Sequence, residues 1–211
     1  MNQPKRPQSL EKKLLRRMRA SKSAPVFTPV QFLDLGTRAG VDQVLSRLVR
    51  AGTIERAGRG LYFLPRSHPW MGKLGAASED VARAIARRDG LRIQEGGASA
   101  ANELRLTEQV PARIIYDTDG PTRRVKLADG KRVIHFKHRS TRRMARAGRV
   151  TGTLISALAT IGKTHITEAR LRHLREELKP EHKAELRRDL PLAPVWMHRH
   201  LRYITGQETL P

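Results

Sequence analysis

The chain contains no cysteine. That excludes disulfide scaffolds, thiol catalysis and cysteine-rich zinc sites, and it fits a reducing, cytoplasmic setting. Aromatic residues make up only 4%, too few for an exposed stacking platform of the kind that holds single-stranded nucleic acid. No apolar run is long enough to cross a membrane, and the N-terminus lacks the apolar stretch of a signal peptide, so no membrane partner is expected. Acidic residues are scarce as well: 20 Asp and Glu face 42 Lys and Arg, a formal charge of +22. Such an excess does not specify a fold, but it points to a polyanionic partner. What remains is sufficient for an aliphatic core, with 38% hydrophobic residues in a chain of 211. That length allows one large domain or two small ones.

The richest stretch runs from Thr37 to Pro65. Val41, Val44, Leu45, Leu48 and Val49 recur at the spacing of one helix face. Thr37 is placed to cap that helix and Gly52 to end it. On a helical wheel Ala39, Gln43, Ser46 and Arg50 lie opposite the apolar stripe, with Asp42 and Arg47 flanking. Thr53–Arg56 and Leu61–Leu64 then flank Ala57-Gly58-Arg59-Gly60, a pattern that predicts a hairpin with Arg59 at its tip and glycines to supply positive φ. A polar-faced helix followed by a basic hairpin is what a winged helix-turn-helix presents to a major groove and the phosphates beside it. A helix and hairpin that merely pack together, with solvated charges, would leave the same pattern.

Elsewhere the chain reads in order as follows. Met1 to Gln8 is patternless and basic, and reads as a mobile arm. Ser9 caps a helix to about Ala20 with Leu10, Leu14, Leu15 and Met18 inward and Lys12, Lys13, Arg16, Arg17 and Arg19 outward, along a phosphate backbone or simply in solvent. Thr28 followed by Pro29 starts a short helix with Phe32, Leu33 and Leu35, broken at Gly36. Residues 1–70 hold 14 Lys and Arg against 4 acids, a net +10. The Pro- and Gly-containing stretch from Arg66 to Ala77 reads as a linker with Trp70 and Met71 tucked against a domain. The chain therefore divides near residue 70.

Beyond it, Ser78-Glu79-Asp80 caps a helix to about Asp89. The small-residue run Gly96 to Ala101 lacks the spacing of a phosphate-cradling loop and reads as close packing. Strand patterns around Ile114, Arg123 to Leu127 and Arg132 to His138, separated by Asp-Gly turns, predict a small antiparallel sheet. His135 and His138 lack metal-ligand spacing and read as sheet residues; no metal or cofactor is expected. Lys131 to Arg149 contains eight Lys or Arg and no acid. After Thr141 the pattern is helical, through Leu154, Ile155, Leu158 and Ile161, then Leu171, Leu174 and Leu178 after a Thr167 cap, then Leu186 after Pro180, then Leu201 and Ile204. The expected fold class is α+β: a winged helix-turn-helix over residues 1–70 and, over 71–211, a domain of a small antiparallel sheet and several helices.

The segments VFTPVQFLDLG, VDQVLSRLVRAGTIERAGRGLYFLPR, GGASAANELRLTEQVPARIIYDTDGPTR and APVWM stand in one order from Val26 to Met197. In them the chain resembles the AbiEi-like antitoxins, transcriptional regulators of type IV toxin–antitoxin systems. It departs from that pattern at Arg105, where glycine is expected, and at Asp117, where an aliphatic residue is usual. The resemblance implies an N-terminal winged helix that binds operator inverted repeats; a homodimer on that DNA is an open expectation. It also implies a C-terminal domain that aids repression and opposes a nucleotidyltransferase-like toxin.

Taken together, the sequence predicts a non-enzymatic repressor of double-stranded DNA. Its candidate contact residues are Thr28, Thr37, Arg38, Gln43, Ser46, Arg47, Arg50, Arg56 and Arg59. A second basic patch comprises Arg123, Arg124, Lys126, Lys131, Arg132, Lys137, Arg139, Arg142 and Arg143. Two other classes stay open. A divalent-metal nuclease would use Asp117, Asp119 and Asp129, although turn chemistry explains Asp119 and Asp129 equally well. A basic accessory protein of RNA or DNA would bind without sequence preference.

Overall fold

The computed structural model describes residues 9–21, 26–70 and 72–209. The expected arm over Met1 to Gln8, and Met71, lie outside the described residues. The chain forms two compact units. The first comprises residues 1–90 with 126–133, and the second residues 91–125 with 134–211.

In the first unit, α1 (Leu10–Ala20) starts at Ser9, whose hydroxyl accepts from the Lys12 N–H at 3.4 Å. β1 (Val26–Phe27) leads into a 3-10 turn, Pro29–Phe32, and then into α2 (Arg38–Arg50). The expected second helix is thus a single 3-10 turn, and Val30 and Leu33 are left exposed beside it. β2 (Glu55–Gly58) and β3 (Leu61–Phe63) form the expected hairpin, and β1 joins it in the order β1-β3-β2. Leu14, Met18, Phe27, Phe32, Val41, Leu45, Leu48 and Ile54 make one apolar cluster under this sheet.

The stretch expected as a linker folds instead into a second hairpin, β4 (Arg66–His68) with β5 (Gly72–Leu74). Trp70 at its tip is 92% exposed rather than tucked in. α3 (Ser78–Asp89) follows, with Ala77 rather than Ser78 at the N-cap. It packs on β1 and β3, burying Val81 and Ile85, and Arg87 donates to the Val26 carbonyl at 3.2 Å. The first unit therefore runs past the expected division at residue 70 to Gly90.

The second unit begins with β6 (Ile93–Glu95) and α4 (Gly97–Glu103). β7 (Ile114–Thr118), β8 (Arg123–Lys126) and β9 (Val133–His138) complete a sheet of order β6-β7-β9-β8. β6, which the sequence did not place in the sheet, pairs antiparallel with β7, whereas β9 runs parallel to β7 against the antiparallel expectation, with Ile114 opposite Ile134 and Thr118 opposite His138. The Asp119-Gly120 turn thus closes no hairpin: β9 inserts between β7 and β8, so its direction matches β7. His135 and His138 are sheet residues.

α5 (Thr141–Met144), α6 (Val150–Ile161), α7 (Glu168–Glu177), α8 (Pro180–Asp189) and α9 (His198–Ile204) close the unit. Leu154, Leu158, Leu171, Leu174, Leu186, Leu201 and Ile204 share one core. Thr167 caps α7 through a bond from the Arg170 N–H, at 3.4 Å. Glu185 accepts from both the N–H and the hydroxyl of Thr151 at 2.9 Å, placing a carboxylate at the positive end of α6.

The small-residue run does pack tightly: a Cβ on Gly97 would stand 2.4 Å from the Ser156 carbonyl oxygen. Arg105, at the position where the resemblance calls for glycine, has φ 55°. The backbone there holds the left-handed conformation that glycine adopts without penalty. Among the described residues no helix is long and apolar enough to cross a membrane.

Candidate nucleic-acid interface

α2 is positioned by its own two faces. Val41, Leu45 and Leu48 sink into the first unit's core, and Thr37 caps the helix by accepting from the Gly40 N–H at 3.3 Å. Gln43, Arg47 and Arg50 stand exposed on the other side, with Ser46 half-buried between them. Their spacing of three or four residues makes them neighbours along the helix surface. Arg38 is exposed too, but its Nε binds Asp42 at 2.8 Å. Arg47 lies 3.7 Å from Glu11 of α1. Gln43 and Arg50 have no partner among the described residues, and both point into solvent.

The hairpin tip is set by Gly60, whose φ of 69° closes the turn. Gly58 keeps an ordinary φ and sits instead at a register irregularity of the β2–β3 ladder. Arg59 is exposed at the tip, and its carbonyl accepts from Arg88 of α3 at 3.3 Å. Arg56 lies with its guanidinium 5.7 Å from the centre of the Tyr62 ring, which holds it upright while leaving its charge in water.

One expected contact residue, Thr28, and one outward cation of the first helix, Arg17, do other work. Thr28 is 5% exposed, and its N–H donates to Gln31 Oε1 at 2.8 Å. It caps the 3-10 turn and is not on the exposed face. Arg17 of α1 makes a two-pronged pair with Asp34, both bonds 2.6 Å, and donates to the Gln31 carbonyl. Those hydrogen bonds hold the Asp34 carboxyl below the usual carboxylate range. Arg17 therefore ties α1 to the turn before α2, leaving Lys12, Arg16 and Arg19 as the exposed cations of that helix.

The second basic group is divided between the two units. Lys126, Lys131 and Arg132 belong to the first unit, and Arg123, Arg124, Lys137, Arg139, Arg142 and Arg143 to the second. Arg132 pairs with Asp129 at 2.5 Å and donates to the Ala76 carbonyl at 2.9 Å. Its bonds, with the Lys131 and Arg132 backbone N–H groups, hold the Asp129 carboxyl down to about 2. Arg139 and Arg143 bind Asp117 at 2.9 and 3.4 Å, and Arg123 stacks 5.4 Å from the centre of the Phe136 ring. Lys126, Lys131, Arg124, Lys137 and Arg142 remain exposed.

The three aspartates of the nuclease reading are likewise divided, with Asp129 in the first unit and Asp117 and Asp119 in the second. Asp119 accepts from the Arg92 N–H at 2.9 Å, so each of the three already faces an arginine.

One family model matches residues 13–186, a span that takes in α2, the hairpin and most of the second unit. The chain belongs to DUF6088, a family of unknown function. No curated protein matches it, and no solved structure does.

Two residues of this DUF6088 chain escaped the sequence reading. Arg87 and Arg88 look like ordinary last-turn cations of α3, yet they hold the Val26 and Arg59 carbonyls. Their only sequence signal is position near a helix C-terminus, which any basic residue there would share.

Proposed function

We propose that the first unit is a winged helix-turn-helix that binds double-stranded DNA, with α2 in the major groove and the β2–β3 hairpin on the phosphates. The observation that carries this reading is the exposed row Gln43, Arg47 and Arg50, with Arg59 on the hairpin that follows. The first unit adds a favourable field, having 21 Lys and Arg against 8 Asp and Glu, a net +13. Gln43 reads bases: it lies in the N-terminal half of α2, where such helices meet base edges, and its amide can pair bidentately with adenine. Arg50, Arg59 and the exposed cations of α1 hold phosphates. The likeness to AbiEi-like antitoxins supports taking this further, to a homodimeric repressor of its own operon that opposes a nucleotidyltransferase-like toxin. That second role rests on the likeness alone.

The test is a footprint on DNA upstream of the gene, followed by titration of wild type and Gln43→Ala on that site and its single-base variants. Gln43→Ala should lose about 1–3 kcal/mol of discrimination at one or two base pairs per half-site, with binding to random duplex nearly unchanged. A uniform loss across sequences, or none, refutes the assignment of Gln43. Equal affinity of wild type for all duplexes, or a preference for RNA, refutes the repressor. Divalent-ion-dependent cleavage of the duplex would replace it with a nuclease.

A further inference from the structure

The second unit contains a cavity of about 380 Å³, large enough for a small organic molecule. One wall is a face of α6, Gly152, Ile155, Ser156 and Ala159. α5 brings Arg143 to it and the turn that follows brings Arg146, and Leu192 to Pro194 close the other side.

Two polar groups in this lining are nearly inaccessible and incompletely matched. Arg146 is 5% exposed. One of its terminal nitrogens donates to the Leu192 carbonyl, but its Nε has no partner. Ser156 is 6% exposed, and its hydroxyl also has none. Burying the Arg146 Nε and the Ser156 hydroxyl without partners costs free energy. Burial, with Arg143 and Arg142 close by, pushes the Arg146 guanidinium below its ordinary value, and Asp189 partly offsets this.

The lining also has a definite sign. It includes Arg142, Arg143 and Arg146 against one carboxylate, Asp117, which Arg139 and Arg143 already hold. Ile155, Met144, Leu192 and Pro194 supply an apolar side.

We propose that this cavity is a binding site for a small organic anion. Its phosphate or carboxylate head accepts from Arg146 and Ser156, and its apolar body lies against Ile155 and Leu192. A guanidinium and a hydroxyl in one cavity lining are both donors that suit an anionic oxygen. The apolar wall gives an organic anion an advantage that a bare one lacks. The site is independent of the DNA reading and would stand if that reading fell.

Isothermal titration of the full chain decides it, with phenyl phosphate, benzoate, inorganic phosphate and benzyl alcohol as probes. Phenyl phosphate or benzoate should bind at one saturable site, inorganic phosphate about tenfold or more weakly, and benzyl alcohol without saturation. Whichever of the first two binds more tightly identifies the head group. Ala159→Phe fills the mouth from an exposed position, and Arg146→Met removes the charge at similar volume. Each should weaken binding about tenfold or more, while Arg124→Ala, outside the lining, should not. Should Arg146→Met fail to fold, Ala159→Phe decides alone. The proposal is overturned if neither organic anion binds to wild type, or if binding survives Ala159→Phe. It also falls if inorganic phosphate binds as tightly as phenyl phosphate and Arg124→Ala weakens both.

Discussion

The two units hold the same number of Lys and Arg, 21 each, yet they differ in what they bury. The first sets them against 8 acids and the second against 12. The larger difference is inside. Among the described residues, Thr28 is the one buried polar side chain of the first unit. The second buries Asp117, Thr118, Arg146, Thr151, Ser156, Asp189 and Thr205. A unit with an apolar interior must carry all its charge outward, where separate cations sum into one field that a large polyanion can feel. A unit that turns charge inward sets up local, directional contacts suited to holding its own chain or a small ligand.

The comparison can be broken first by truncation. If the first unit's core is as closed as its buried residues imply, a chain ending at residue 70 loses the Val81 and Ile85 contacts of α3. That should cost roughly 3–6 kcal/mol relative to a chain ending at residue 90, from about 1.5–3 kcal/mol per buried side chain. Urea melts followed by circular dichroism measure it. Equal midpoints would return the boundary to residue 70.

Charge direction is tested next. Asp189 is buried and paired with half-exposed Arg149 at 2.8 Å, whereas Asp42 pairs with Arg38 on the surface of α2. Asp189→Ala should destabilise the chain by about 2–3 kcal/mol, below the fully buried limit because Arg149 can reach water. Asp42→Ala should cost about 0.5 kcal/mol or less. Similar losses in thermal unfolding would erase the distinction.

A smaller effect sharpens the outward-facing half. Arg50→Ala and Arg59→Ala should each weaken duplex binding about three- to tenfold and flatten the logarithmic salt slope by about 0.9. Arg132→Ala, whose charge is tied to Asp129 and Ala76, should leave the slope alone. A slope unchanged in all three variants would take the α2–hairpin face out of the interface.

The smallest effect lies in the second unit's backbone. Arg105 holds φ 55° without glycine's freedom. Arg105→Gly should stabilise by up to about 1 kcal/mol, relief of left-handed strain outweighing the entropy of the unfolded glycine. A loss of stability in thermal unfolding would mean that the Arg105 side chain contributes more than its backbone costs.

What the sequence made legible was local. Thr37 and the Val41–Leu48 stripe announced α2, Gly60 announced the first hairpin, and Thr167 and Pro180 announced the starts of α7 and α8, because each signal lies within a turn or two of its effect. The 3-10 turn at Pro29–Phe32 and the three-residue strands on either side of Trp70 are too short to show a period. The parallel pairing of β7 with β9 joins strands that the Asp-Gly signals could only order along the chain. Of the candidate interface, the α2 row was readable from the helical wheel, while burial of Thr28 and the carbonyl bonds of Arg87 and Arg88 depend on neighbours distant in sequence. The cavity in the second unit draws on residues from Gln94 to Pro194, and no window of sequence contains it.

Residues 126–133 lie deep in the chain yet belong to the first unit, where the Ala128 N–H meets the Ala57 carbonyl and Arg132 reaches Ala76. The consequence is genealogical. A recombination breakpoint after residue 90 would carry the α2–hairpin face into a new gene without the segment that completes its unit, and would leave that segment orphaned in the old one. Separating the two units takes more than one cut, so chains built this way should diversify by substitution within each unit rather than by exchange of whole modules. In descendants of this chain Arg132 should then resist change, whereas any residue at 57 or 76 supplies the same backbone carbonyl, some 56 positions from Arg132 in the case of Ala76.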